Sequence, residues 1–147
     1  MQAIADELER VWDRYEVEIG PHLTNLGEKQ AAIVFPVPQN YFVVFDSSAS
    51  LIGRIPDMEL RKRIISTYIA AKGLVDALHY YERLIAEYNA MPESPPIAGA
   101  THLAINSASI RKYSELLAYT KALQEGHLRL EAEVNALQAP LRAYLDG

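Results

Sequence analysis

The last third of the chain carries a long, regular alternation of apolar and polar positions. Apolar or aromatic residues recur at steps of three and four, as on the face of one helix that packs against another. Charges of alternating sign from Lys121 to Glu133 follow the opposite face at i, i+4 spacing. The pattern predicts one long helix over residues 101–144, and Pro140 predicts a kink or an end near Gln138. We call its apolar row the seam: Tyr113, Leu116, Thr120, Leu123, His127, Leu130, Val134, Leu137, Leu141 and Tyr144.

A second row of the same kind lies between Pro56 and Met91. Pro56 suits the first turn of a helix, and Asp57 and Glu59 place negative charge at its positive end. A helix of roughly 40 residues is about 60 Å long, so the helix over residues 101–144 needs a partner of similar length. Residues 91–100 contain three prolines and predict a connection between the two helices, so we expect a long antiparallel helical hairpin. The predicted buried row of this second helix is Leu60, Ile64, Tyr68, Ala71, Val75, Leu78, Tyr81, Ile85 and Tyr88.

The first 30 residues predict an additional, N-terminal helix that packs on this hairpin. Its apolar positions again follow a step of three or four, while acidic and basic side chains occupy the other faces. Gly20 and Pro21 predict a break, because glycine weakens a helix interior and proline lacks the backbone donor. The apolar row consists of Ile4, Leu8, Val11 and Tyr15.

Residues 31–45 have a different character, since they are rich in β-branched and aromatic side chains. They can form a short hairpin or extended arms laid on the helices, and two prolines in the first arm favour the extended form. We expect an extended segment that crosses the helices and buries Phe35, Phe42 and Phe45. Asp46 is the predicted cap of a single helical turn that Gly53 ends.

Together these patterns predict an all-α protein in which residues 1–147 form a single elongated helical domain. The chain has no cysteine, which excludes disulfides, thiol nucleophiles and cysteine-based metal sites. A net charge of −5 disfavours nucleic-acid binding, which depends on neutralising phosphates. No run of about 18 apolar residues is present, so the chain as it stands is expected to be soluble.

The four histidines are the natural place to look for acid–base or metal chemistry. Their spacing matches no metal-binding or catalytic motif, so we expect no cofactor and no enzymatic activity. His127 differs from the other three histidines because it lies in the seam, where a leucine would pack better. It is a candidate polar seam residue that fixes the helix register or makes a pH-dependent contact, and the simpler interpretation is a histidine hydrogen-bonded across the seam.

Two further groups of side chains are candidates for binding. The first is a set of tyrosines on the two long helices, which either line a ligand groove or pack their rings into the core. The second is a basic group near the start of the second helix, where the helix end is itself positive. It is either a solvated surface or a site for an anionic partner such as a membrane surface. The tyrosines are Tyr68, Tyr80, Tyr81, Tyr88, Tyr113, Tyr119 and Tyr144, and the basic residues are Arg54, Arg61, Lys62 and Arg63.

One stretch resembles a known group of sequences. Phe45-Asp46, the run from Leu51 to Pro56, and Ile64, Ile65 and Tyr68 resemble a segment of uncharacterised membrane proteins of bacteria and prophages. The similarity covers about residues 41–85. It implies a helical region tethered to a membrane by a segment that this chain does not show, and it carries over no catalytic residue.

From these observations we expect a non-enzymatic interaction or scaffolding domain that meets another protein or a second copy of itself. A symmetric homodimer would bury an apolar stripe that three helices leave uncovered. The alternative is a helical bundle that senses a small ligand bound between its helices. A pocket with convergent polar groups would favour the sensor, and a filled seam would favour the scaffold.

Overall fold

The computed structural model describes residues 1–25, 42–91 and 102–147, with side chains from residue 108 onward in the last range. Within these ranges every regular element is helical. The prediction of an all-α hairpin with an additional N-terminal helix is confirmed. The predicted arm over residues 31–41 and the connection over residues 92–100 lie outside the described residues. The helices are α1 (Gln2–Glu18), α2 (Gly20–Thr24), α3 (Val43–Ser47), α4 (Ala49–Ile52), α5 (Met58–Asn89) and α6 (His102–Asp146).

Helices α5 and α6 form the antiparallel pair. The Thr67 hydroxyl lies 3.5 Å from the carbonyl oxygen of Glu133. Near the other end of the pair, Lys112 of α6 contacts the carboxylate of Glu87 on α5 at 2.5 Å. Residue numbers therefore rise along α5 while they fall along α6, as the sequence predicted.

The seam of α6 is buried along most of its length. Eight of its ten residues are buried, and these run from Leu116 to Leu141. The end residues Tyr113 and Tyr144 are 36% and 38% exposed, because they lie where the partner helices finish. On the opposite face, Lys121, Glu125 and Arg129 are exposed. The rotation of the helix predicted from its periodicity is therefore correct.

The buried face of α5 differs from the predicted row, which left out the buried Thr67, Leu74 and Leu84. Thr67 and Leu74, which the prediction omitted, contact α6, where Leu74 packs against the backbone at Gly126. Tyr68 turns instead toward α1 and donates a hydrogen bond to the carbonyl oxygen of Ile4. Val75 lines a cavity together with residues of α1. Helix α5 thus packs on two sides, and the predicted row combined positions from both.

The beginning of α5 is fixed by its cap. The Asp57 side chain accepts hydrogen bonds from the backbone amides of Glu59 and Leu60, at 2.9 and 3.1 Å. These amides belong to the first helical turn and have no partner within the helix, so the cap satisfies two of them. Helix α5 therefore begins at Met58, and Pro56, which the sequence placed in the first turn, lies just before the cap.

Of the kink or end predicted at Pro140, the end near Gln138 is wrong, because the helix continues through Pro140 to Asp146. Proline removes one backbone hydrogen bond from the helix interior. The residues on either side of it, Leu137 and Leu141, are both buried in the core. Their packing keeps the last two turns helical.

The break at Gly20 and Pro21 is confirmed, since α1 ends at Glu18 and α2 begins at Gly20 with proline in its first turn. Helix α1 lies obliquely on the α5–α6 pair. Its beginning contacts α5 through Ile4 and Tyr68. Its end reaches α6, where the Tyr15 hydroxyl meets the His127 ring.

The prediction of extended backbone through Phe45 is wrong for the described residues, because Val43–Ser47 is a short helix. The Glu7 carboxylate of α1 accepts hydrogen bonds from the amides of Val44 and Phe45, at 2.6 and 2.9 Å. A side chain distant in sequence therefore caps this helix. Phe42 and Phe45 pack on the ring of Tyr68, as expected, with centroid distances of 5.5 and 3.8 Å.

The prediction for Asp46 is also wrong. It lies inside α3 and pairs with Lys72 of α5 rather than capping a turn. Ser48 occupies the cap position of α4 without a side-chain hydrogen bond to the helix. Gly53 does end α4, as predicted.

Candidate functional site

The most distinctive polar group of the described core surrounds His127. The side chain is 7% exposed, although it belongs to a row of leucines and valines. Its Nδ1 atom lies 2.6 Å from the Tyr15 hydroxyl of α1, and its Nε2 atom lies 3.2 Å from the Thr24 hydroxyl of α2. The partners of His127 are therefore on the N-terminal helices and not across the seam on α5.

The hydrogen bonds around His127 assign its tautomer. The Thr24 hydroxyl donates its proton to the carbonyl oxygen of Gly20 at 3.0 Å. Thr24 is then the acceptor of the Nε2–H group of His127, and Nδ1 accepts a hydrogen bond from the Tyr15 hydroxyl. In this arrangement the neutral imidazole uses both of its nitrogens and leaves no polar atom unpaired.

Electrostatics favour the same neutral form. Burial lowers the pKa of His127, while the carboxylates of Glu131 and Glu16 act in the opposite direction. Burial raises the pKa of Tyr15, and Glu131 adds to that effect, so its hydroxyl keeps its proton. Protonation of His127 would turn Nδ1 into a donor facing a hydroxyl that already donates to it. The arrangement joins α1 and α2 to α6 and has no open position for a substrate.

The four predicted basic residues do not share one surface. Lys62 pairs with Glu59 at 3.0 Å, and both side chains are exposed. The Arg61 guanidinium donates to the carbonyl oxygen of Ile55 at 2.8 Å. Successive helical residues point about 100° apart, so the side chains of Arg61, Lys62 and Arg63 leave α5 in different directions. Arg54 and Arg63 are exposed. Binding of an anionic partner by this group stays a prediction.

The tyrosines near the far end of the hairpin pack against one another. Tyr119 lies between Tyr80 and Tyr81, with ring centroids 4.9 and 6.4 Å away. Tyr88 and Tyr113 form a second pair at 5.9 Å. Such distances are typical of aromatic packing. These rings pack where α5 and α6 meet, although Tyr80 and Tyr113 remain 37% and 36% exposed.

The core between α1, α5 and α6 contains a small cavity of about 30 Å³. Its walls are apolar or aromatic and include Trp12, Phe42 and Leu78. Pockets for small ligands usually measure about 300 to 1,000 Å³ and contain several converging polar groups. This cavity is a packing gap by comparison.

A much larger recess lies on the surface between α1 and the last three turns of α6. We call it the α1–α6 groove, and its volume is about 390 Å³. Helix α1 lines it from Gln2 to Asp13, and α6 lines it from Val134 to Asp146. The floor is apolar and consists of Ala5, Leu8, Trp12, Val134, Leu141 and Leu145. The rim is polar and consists of Gln2, Asp6, Glu9, Asp13, Gln138, Arg142 and Asp146.

Sequence reasoning identified His127 but missed its partners and missed the groove. Tyr15 and Thr24 are 112 and 103 residues away from His127, and no local motif joins them. The groove did have a signal, because Asp6, Glu9 and Asp13 repeat on one side of the first predicted helix. Only the crossing of α1 over α6 shows that this acidic row faces a recess.

Among the described residues no group of three or more histidine, aspartate or glutamate side chains is placed to hold a metal ion. None of the described helices combines the length and the hydropathy needed to cross a membrane. No protein-family model, curated protein or solved structure matches the chain. The similarity to bacterial membrane proteins therefore stays a prediction.

Proposed function

We propose that the protein is a non-enzymatic helical interaction domain, whose long α5–α6 hairpin presents a surface to another protein or to a second copy of itself. The observation that carries this proposal is where open space occurs in the fold. The cavity in the core measures about 30 Å³, whereas the groove at the surface measures about 390 Å³. A filled interior and a recessed surface favour a partner that binds from outside over a ligand enclosed between the helices.

The outer surface of the hairpin supports the same proposal. Ile65 and Ile69 lie one turn apart on α5 and are 39% and 64% exposed, and Leu128 on α6 is 59% exposed. Single exposed apolar residues are ordinary, but the adjacent isoleucines lengthen the apolar surface of one helix. Burial of such a surface in a symmetric dimer would remove it from water.

Sedimentation velocity at tens of micromolar tests the proposal. We expect a concentration-dependent dimer, and Ile69→Lys should shift the equilibrium toward monomer. Val17→Lys is the matched control, because Val17 is also apolar and is 78% exposed, but lies on α1. The control should associate as the wild type does. A wild-type chain that stays monomeric throughout this range would contradict self-association.

A further inference from the structure

The rim of the α1–α6 groove is strongly acidic. Its charged side chains are Asp6, Glu9, Asp13, Asp146 and Arg142. Four negative charges and one positive charge give the rim a net charge of −3. Among the described residues Glu9, Asp13 and Asp146 form no ion pair. Asp6 accepts a hydrogen bond only from the neutral side chain of Gln2, at 2.8 Å. The carboxylates of this rim thus have no ion-pair partner among the described residues.

The acidic row opposes the stability of its own helix. Asp6 and Glu9 are three residues apart, and Glu9 and Asp13 are four apart, so like charges are neighbours on the surface of α1. Like charges at these spacings destabilise a helix by about 0.2 to 0.5 kcal/mol per pair. Arg10 lies four residues after Asp6 and three before Asp13, so it offsets part of this cost. Glu9 has no cation at such a spacing and forms no ion pair among the described residues. A cationic partner over the rim would relieve the repulsion.

The floor of the groove beneath this acidic rim is apolar. Trp12 and Leu141 lie at its bottom, and the partly buried Ala5 and Leu145 extend the apolar surface toward the rim. The groove follows α1 from Gln2 to Asp13, a distance of about 16 Å at 1.5 Å per residue, which matches about three turns of another helix. An apolar floor with a charged rim is the usual setting for an amphipathic helix bound in a groove.

We propose that the α1–α6 groove binds a basic amphipathic helix of a partner protein. Its apolar face would pack on Trp12 and Leu141, and its lysine or arginine side chains would lie over Glu9, Asp13 and Asp146. Charge complementarity selects this occupant, because the same rim repels phosphates and anionic lipid surfaces. The inference rests on the proposed function, for which it names the class of partner.

The test uses a synthetic amphipathic helical peptide of leucine and lysine and the full chain. Trp12 is the only tryptophan of the sequence and lies on the groove floor, so its fluorescence reports binding at this site. We expect a saturable change in Trp12 emission that weakens with salt. A peptide of the same composition with a scrambled, non-amphipathic order should bind at least about tenfold more weakly.

Charge reversal locates the site. Glu9→Lys with Asp13→Lys should weaken peptide binding by about tenfold or more. The control is Asp76→Lys with Glu125→Lys, which makes the same change in net charge at exposed positions of α5 and α6 outside the groove. Far-ultraviolet circular dichroism of both double variants should match the wild type, since all four residues are exposed.

Three results would overturn the proposal: no change in Trp12 emission, equal loss of binding in the two double variants, or equal binding of the scrambled peptide. If a second copy of the chain occupies the groove instead, the double variant Glu9→Lys with Asp13→Lys should sediment differently from the wild type, and the control double variant should not. That result would also overturn the proposal. A monomeric chain that binds the peptide contradicts self-association and leaves this inference intact. A chain that dimerises but does not bind the peptide contradicts this inference alone.

Discussion

His127 occupies a seam position where a leucine would fill the space with no hydrogen bond to satisfy. Its two nitrogens instead join the Tyr15 hydroxyl of α1 and the Thr24 hydroxyl of α2. A buried polar group that is fully paired specifies one arrangement of its neighbours, because displacement would leave several polar atoms unpaired. We therefore interpret His127 as the residue that fixes where α1 and α2 lie on α6.

This arrangement predicts a pH dependence of stability. The unfolded chain has a histidine pKa of about 6.5, and burial lowers the pKa of His127 in the folded state. As the pH falls below that unfolded value the unfolded chain takes up the proton first, so the free energy of unfolding decreases until the folded pKa is reached. Urea denaturation at a series of pH values measures this slope.

The control for the pH measurement is His127→Gln, which keeps a polar side chain but does not titrate. Subtracting its slope leaves only the contribution of His127. The wild type should lose more stability than the variant as the pH falls from about 7 to about 5. Parallel curves for the two proteins would show that His127 does not carry the effect.

At the scale of the helical elements, the periodicity of the sequence predicted α6 well and α5 less well. Helix α6 contacts α5, α1 and α2, yet its buried residues stay in the single row that the sequence predicted. Helix α5 packs against α6 on one side and α1 on another. Adjacent residues such as Thr67 and Tyr68, or Leu74 and Val75, face different neighbours, and the sequence alone does not show which residue faces which helix. Only tertiary contacts separate the two rows.

The short helix α3 shows a second limit of local patterns. Val43, Val44 and Phe45 have a preference for strands, and the sequence predicted an extended segment. The Glu7 carboxylate, 37 residues earlier than Val44, accepts the first helical amides and changes the outcome. Helix α6 differs from its prediction at Pro140 for a related reason, since burial of Leu137 and Leu141 outweighs the local cost of proline.

The seam makes a quantitative prediction for α6. Leu123 is 1% exposed, so Leu123→Ala should lower the free energy of unfolding by about 2 to 5 kcal/mol through lost burial and a residual cavity. Glu125 lies two residues away on the exposed face, and Glu125→Ala should change stability by no more than about 0.5 kcal/mol. Urea denaturation measures both, and equal losses would mean that the helix is rotated from its described position.

At the scale of the whole molecule, the two long helices set the shape. Helix α6 has 45 residues and is therefore about 68 Å long. Helix α5, with 32 residues, covers about 48 Å of that length, and α1 and α2 pack along part of the pair. The sequence predicted this elongated form from the length of its repeating pattern. It could not predict the α1–α6 groove, which depends on the oblique crossing of α1.

Small-angle X-ray scattering tests the elongated scaffold most directly. A compact globule of 147 residues would have a radius of gyration of about 15 Å. We predict a radius of gyration clearly above that value and a maximum dimension of at least about 68 Å, set by α6. A radius of gyration of about 15 Å, with a maximum dimension well short of the α6 length, would contradict this elongated form.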